Sequence, residues 1–126
     1  MNQKSPTVSV FRSSQDAESF ASGAVLFREN DPGDCMFVVR EGEVDITVQG
    51  TVVETVGAGG LVGEMALIDA GPRSASAIAR VDSKLVRVDE RRFRFLVQEH
   101  PFFALEVMRV MAHRLRRMDQ RLSDRG

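Results

Sequence analysis

The sequence predicts a mainly β fold with flanking helices: a β-roll or jelly roll (a double-stranded β-helix), with a short helix before it and two C-terminal helices after it. Three observations carry this. From Ala24, short runs of β-forming residues alternate with Gly, Pro and Asp turns at intervals of about 8–12 residues. In one run, Val44, Ile46 and Val48 alternate with Glu43, Asp45 and Thr47, which gives one buried and one wet face. From Glu90 the apolar spacing lengthens to a helical period at Phe93, Leu96 and Val97.

The elements follow in order. Residues 1–10 are polar and read as a loose lead-in to one domain over 11–126. Ser13, Ser14 and Asp16 offer capping groups for a short helix that stops near Gly23. Strands are expected at 25–27, 35–40, 43–49, 51–56, 74–79 and 84–89, so the roll covers about 24–89. The C-terminal helices cover about 90–122, and Pro101 divides them.

Composition narrows the function classes. The 126 residues are 43% hydrophobic and 28% charged, a globular and not a disordered balance. Seventeen basic against eighteen acidic residues leave −1, so no global field draws nucleic acid or membrane. A single cysteine, Cys35, excludes an intrachain disulfide and suits a reducing, cytoplasmic setting. No apolar run reaches the ~18 residues of a membrane span, and residues 1–10 lack the apolar core of a signal peptide.

One segment reads as neither plain strand nor plain turn: 59–77, opening on Gly59-Gly60 and running through Gly63-Glu64-Met65-Ala66-Leu67 to Pro72-Arg73-Ser74-Ala75. Glycine lets the backbone take positive φ or approach a ligand closely. Glu64 to Ile68 suffice for one helical turn, whose free N–H groups suit an anion. Arg73, behind a Gly-Pro turn, can return to that anion and grip two oxygens with its planar fork. Glu64 would repel a phosphate unless it faces something else, such as a sugar hydroxyl. Amides and Arg for a phosphate, with Glu for a ribose, describe a nucleotide site.

The segment resembles the phosphate-binding cassette of cyclic nucleotide-binding domains, as in the bacterial catabolite-activator family and the regulatory subunits of cyclic-nucleotide-dependent kinases. That pattern runs Gly-Glu-x-Ala-Leu, a short gap, Pro-Arg, then Ala, Ser or Thr, then Ala; Gly33-Asp34 and Glu41-Gly42-Glu43-Val44 resemble the family's first hairpins. The resemblance implies that Glu64 accepts from the ribose 2′-hydroxyl and that Arg73 pairs with the cyclic phosphate. It implies phosphate contacts from backbone N–H groups near Met65, Ala66 and Leu67, and from the Ser74 hydroxyl. Ile46 and Val53 match base-pocket positions, and Arg114 matches a C-helix arginine that approaches the ligand. Met118 and Asp119 stand where the catabolite-activator branch has hydroxyl residues, and Val62 replaces a common aromatic, so the ligand is left as cAMP or cGMP. Glu64 and Arg73 could also form a structural ion pair, and Ile46 and Val53 could be plain core.

The remaining features are weighed the same way. His100, His113 and Cys35 are too few and too scattered for a metal site, and no cofactor beyond the nucleotide is expected. Cys35 reads as a small buried hydrophobe. Met108, Met111, Leu115, Met118 and Leu122 are spaced 3, 4, 3 and 4, a coiled-coil seam suited to a homodimer. Phe102, Phe103, Val107 and Val110 lie off the seam and are expected on the roll. Residues 109–125 carry six Arg against two Asp, read as a solvated basic face. No helix-turn-helix motif is read in these residues, and no nucleic acid-binding domain is expected in this chain. The expected function is a cyclic nucleotide sensor that catalyses nothing. Its rivals are a structural or protein-interaction module on the same roll, and a cupin-like enzyme, for which the histidines are lacking.

Overall fold

The computed structural model describes residues 17–69 and 71–125. Eight strands form two four-stranded antiparallel sheets: β1 (Ala17–Phe20), β2 (Val25–Phe27), β3 (Cys35–Glu41), β4 (Val44–Val48), β5 (Thr51–Val56), β6 (Leu61–Val62), β7 (Ser76–Ala79) and β8 (Ser83–Asp89). One sheet has the order β1-β8-β3-β6 and the other β2-β7-β4-β5. A single helical turn, α1 (Met65–Ile68), follows β6; α2 (Glu90–Glu99) and α3 (Pro101–Arg125) follow the roll.

β3 explains the layering. Its run Cys35-Met36-Phe37-Val38-Val39 is buried at every position, as expected of a strand covered on both faces. Cys35, Phe37 and Val39 join Val44, Val56, Val62, Ala77 and Leu85 inside the roll. Met36 and Val38 point the other way, to a second cluster with Leu61, Val86, Val88, Leu96, Phe103 and Val107. The roll thus has one core between its sheets and another beneath α2 and α3.

The C-terminal helices begin as their residues dictate. The Asp89 carboxylate accepts from Arg92 N–H at 2.8 Å and caps α2. Pro101 lies at the first position of α3, where its missing N–H costs nothing. Phe103 is fully buried and meets Phe93 edge-on at 5.8 Å between ring centres.

The structure corrects several expectations. Residues 17–20 form a strand and not the end of a helix; the expected start of that helix and the lead-in at 1–10 lie outside the described residues. β1 pairs with β8 from Ala17↔Val86 to Phe20↔Ser83, and Glu18 takes both forks of Arg87 at 2.9 and 3.2 Å. Tertiary pairing overrides a local sequence with little strand preference of its own. Ser74 and Ala75 precede β7, and the two-residue β6, not foreseen, pairs with β3 at Phe37↔Val62. Phe102, expected on the roll, is 71% exposed, whereas Met111, expected on the seam, packs against the outer core cluster.

Phe103 joins helix to roll, so Phe103→Ala removes a fully buried ring. We expect a stability loss of about 3–5 kcal/mol by urea denaturation; a loss near zero would mean that α3 is not part of the cooperative unit.

Candidate functional site

The segment 59–77 folds back on the roll and places Arg73 by its backbone. Arg73 N–H donates to Asp31 O at 2.8 Å, and Arg73 O accepts from Asn30 N–H at 2.8 Å. A Pro32↔Pro72 bridge continues this pairing. The side chain then runs inward and is 6% exposed. Its Nη2 donates to Cys35 O at 2.7 Å and its Nη1 to Gly63 O at 3.1 Å. The guanidinium lies 3.9 Å from the centre of the Phe27 ring, a stacking cation–π contact. Its Nε is buried without a partner. Among the described residues, no carboxylate pairs with this cation.

Two glycines make room for it. Gly63 has φ +77°, and a Cβ there would stand 2.5 Å from Arg73 Nη1 and 3.1 Å from the Phe27 ring. A Cβ on Gly33 would stand 2.6 Å from Ala66 Cβ and 3.0 Å from Arg73 Nε. Neither position admits a side chain without displacing the arginine or the α1 turn.

Glu64 marks the other end. It is 2% exposed, and its Oε1 accepts from Arg114 Nη1 at 2.6 Å. Arg114 comes from α3 and serves a second carboxylate too: Nε and Nη2 donate to Glu54 at 2.9 and 3.2 Å. Nη2 also donates to Leu61 O at 2.7 Å. Burial works against the charge on Arg114, but the field of Glu64 and the hydrogen bonds of Glu54 and Glu64 outweigh it and hold its pKa above the ordinary value. One turn further along α3, Arg117 Nη2 donates to Val53 O at 3.2 Å.

The structure therefore brings together Gly63, Glu64, Arg73 and Arg114, but in a different pairing from an ion pair between Glu64 and Arg73. Ala66 N–H and Leu67 N–H, expected to face a phosphate, donate to Gly63 O at 3.3 Å and Glu64 O at 3.1 Å. Met65 is 46% exposed, and Ser74 is exposed. Ile46 packs half-buried against the inner core, and Val53 lies on β5 under Arg117. Cys35 is buried as expected, yet its sulfur lies 3.7 Å from Arg73 Nη2 and 3.4 Å from Arg87 Nη1. Sequence reasoning missed Phe27, Glu54 and Arg117. Glu54 carried a legible signal, a charge inside the apolar run Thr51-Val52-Val53-Glu54-Thr55-Val56.

The fold and site together are a double-sheet roll that holds a buried cation at Arg73 and is crossed by a helix arginine, Arg114, bonded to two carboxylates. The profile of the cyclic nucleotide-binding domain matches residues 17–100, and the chain belongs to that family. It is 29% identical over 110 residues to the CRP-like cAMP-activated global transcriptional regulator of Mycobacterium tuberculosis, covering 83% of this chain and 49% of that protein. It superposes on the catabolite activator protein of Thermus thermophilus with TM-score 0.75 and 31% identity, over 85% of this chain and 53% of the other. It is also similar to a structure from a cyclic-GMP-dependent signalling pathway of bacterial phytopathogenesis, with TM-score 0.70 and 29% identity, over 79% and 84% of the two chains. The chain spans about half the length of the curated relatives it matches. Those relatives are named as regulators and receptors, not enzymes. Among the described residues, no helix is long and apolar enough to cross a membrane.

Gly63→Ala puts a Cβ against Arg73 at a left-handed φ. We expect a stability loss of about 1–3 kcal/mol by chemical denaturation, because either the backbone or the arginine must move. An unchanged midpoint would show that the turn has room the contacts do not indicate.

Proposed function

We propose that the chain is a sensor module that binds a cyclic nucleotide, cAMP or cGMP, and catalyses nothing. The observation that carries this reading is Arg73, a buried guanidinium that among the described residues has no carboxylate partner and one N–H unsatisfied. A buried cation is costly unless an anion answers it, and a cyclic phosphate is the anion this family takes. A roll that bound nothing would have no use for such a residue, which counts against an interaction module. Gly63 and the α1 turn (Met65, Ala66, Leu67) form the wall beside the phosphate. Ser74 stands next to Arg73 at the rim, and Ile46 and Val53 line the base side. No other cofactor or metal is required, and the free, buried Cys35 suits the reducing cytoplasm.

Signal output follows from Arg114. Glu64, the acceptor proposed for the ribose hydroxyl, is held by an arginine on α3. A hydroxyl that takes over part of that carboxylate weakens the hold of the helix, so ligand binding and helix position are linked. The shift is limited to the ligand's differential affinity for the two helix positions.

The same helix offers a homodimer seam. Met108, Leu115 and Met118 are 60%, 60% and 58% exposed at heptad spacing. Met111 flanks this seam while touching the core, and the Leu122 side chain lies outside the described residues.

Two experiments test these readings. Calorimetric titration with cAMP and with cGMP should show one saturable site. Arg73→Lys, which keeps the charge but loses the fork, should weaken binding at least about tenfold, and Arg73→Ala should abolish it. Equal affinity in all three proteins would sink the cassette reading. Light scattering should find a dimer that Leu115→Glu with Met118→Glu converts to monomer; a wild-type protein monomeric at high concentration would remove the seam.

A further inference from the structure

The sheet register places a carboxylate on the inner face of the roll. β4 and β5 pair with Val44 opposite Val56 and Ile46 opposite Glu54. Directly opposed residues share a face of the sheet, as do residues two apart along a strand. Val44 and Val56 belong to the inner core and Ile46 packs against it. Glu54 therefore points inward beside Ile46, while Thr55 and Asp45 face outward and bond to each other at 2.7 Å. Immediately past Glu54 the register shifts, and Val53 drops out of the pairing.

This inward charge is answered only in part. Glu54 and Glu64 share the single guanidinium of Arg114, so the three groups carry one net negative charge, about a quarter exposed or less. Arg73, by contrast, is a buried positive charge with no carboxylate partner among the described residues. Charge is thus divided, positive at Arg73 and net negative where Glu54 and Glu64 share Arg114. A ligand that fits presents an anion to the first end and N–H or O–H donors to the second.

We infer that Glu54 is a specificity-determining residue that accepts hydrogen bonds from the purine edge and favours guanine over adenine. The inference rests on the cyclic nucleotide reading above. With the phosphate at Arg73 and the ribose hydroxyl at Glu64, the remaining acceptor for the base is the Glu54 carboxylate next to Ile46, each oxygen of which accepts one bond from Arg114 and keeps a further lone pair. Guanine offers N1–H and N2–H side by side, a pair of donors matched to the two oxygens of a carboxylate. Adenine offers only its N6 amino group, flanked by ring nitrogens whose lone pairs face the carboxylate unfavourably. A glutamine in the same place has a donor and an acceptor, the combination that suits the N6–N7 edge of adenine.

The test is the ratio of cGMP to cAMP affinity, measured by calorimetry on wild type and on Glu54→Gln. Glutamine keeps the size of the side chain and an oxygen for Arg114. The expected result is a wild type that prefers cGMP and a variant whose ratio moves at least about tenfold toward cAMP. A second variant, Glu54→Ala, should lose the preference without gaining the reverse one. If both nucleotides weaken equally and the ratio stays fixed, Glu54 is only a tether for α3 and the inference is overturned. A wild type that prefers cAMP overturns it too. Failure of wild type to bind either nucleotide would be a different result, since it removes the cyclic nucleotide reading and this inference with it.

Discussion

A guanidinium buried with no carboxylate beside it sets the terms for everything else in the site. Taking a cation out of water costs several kcal/mol, and carbonyl oxygens with an aromatic face offset only part of that. The surrounding structure supplies that partial offset. Cys35 O and Gly63 O accept from Arg73, and the Phe27 ring lies against it. Its main chain is clamped on both sides by Asn30 and Asp31. These partners come from the end of β2, the turn after it, the start of β3 and the turn after β6, so several parts of the roll meet at the arginine. Gly33 and Gly63 follow from the same demand, because a Cβ at either would occupy the arginine's volume.

The opposite end of the site obeys the complementary rule. There the surplus charge is negative, and a residue from outside the roll answers it. Arg114 reaches Glu64 from α3, and its hold on Glu54 and Leu61 O makes the contact three-sided. A bond network with one cation and two anions is sensitive to any new donor, since that donor competes for acceptors already shared. Under the proposed reading, that sensitivity would let a small polar ligand act on a helix it need not displace by bulk.

The strands of the roll were legible because their patterns were unambiguous: a continuous apolar run at β3, alternation at β4, and Gly or Pro at the turns. The cassette was legible for another reason, the specific order of Gly63, Glu64, Pro72 and Arg73. β1 was not legible. Ala17-Glu18-Ser19-Phe20 has little strand character, and it is a strand because β8 offers it an edge and Arg87 a partner for Glu18. Partnerships across the chain were hidden as well. Nothing near Arg114 in sequence indicates that it answers Glu54 and Glu64 at separations of 60 and 50 residues. The spacing of Met111 placed it on the seam because a heptad ignores which face the roll covers; the observed helix turns it partly inward.

The way α3 is attached explains where it can move. Its first half is fastened by apolar burial: Phe103 is fully buried, Val107 is 2% exposed, and Val110 and Met111 pack on the same cluster. Beyond Met111 the described contacts with the roll are polar, from Arg114 to Glu54, Glu64 and Leu61 O and from Arg117 to Val53 O. Apolar burial cannot be exchanged for ligand contacts, whereas hydrogen bonds to shared carboxylates can. The helix is therefore held in two ways, by apolar burial up to Met111 and by hydrogen bonds beyond it. The exposed Leu115 and Met118 lie on the hydrogen-bonded half. Under the proposed reading, a ligand at Glu64 would reach that half through one guanidinium, with the core beneath α2 and α3 left closed.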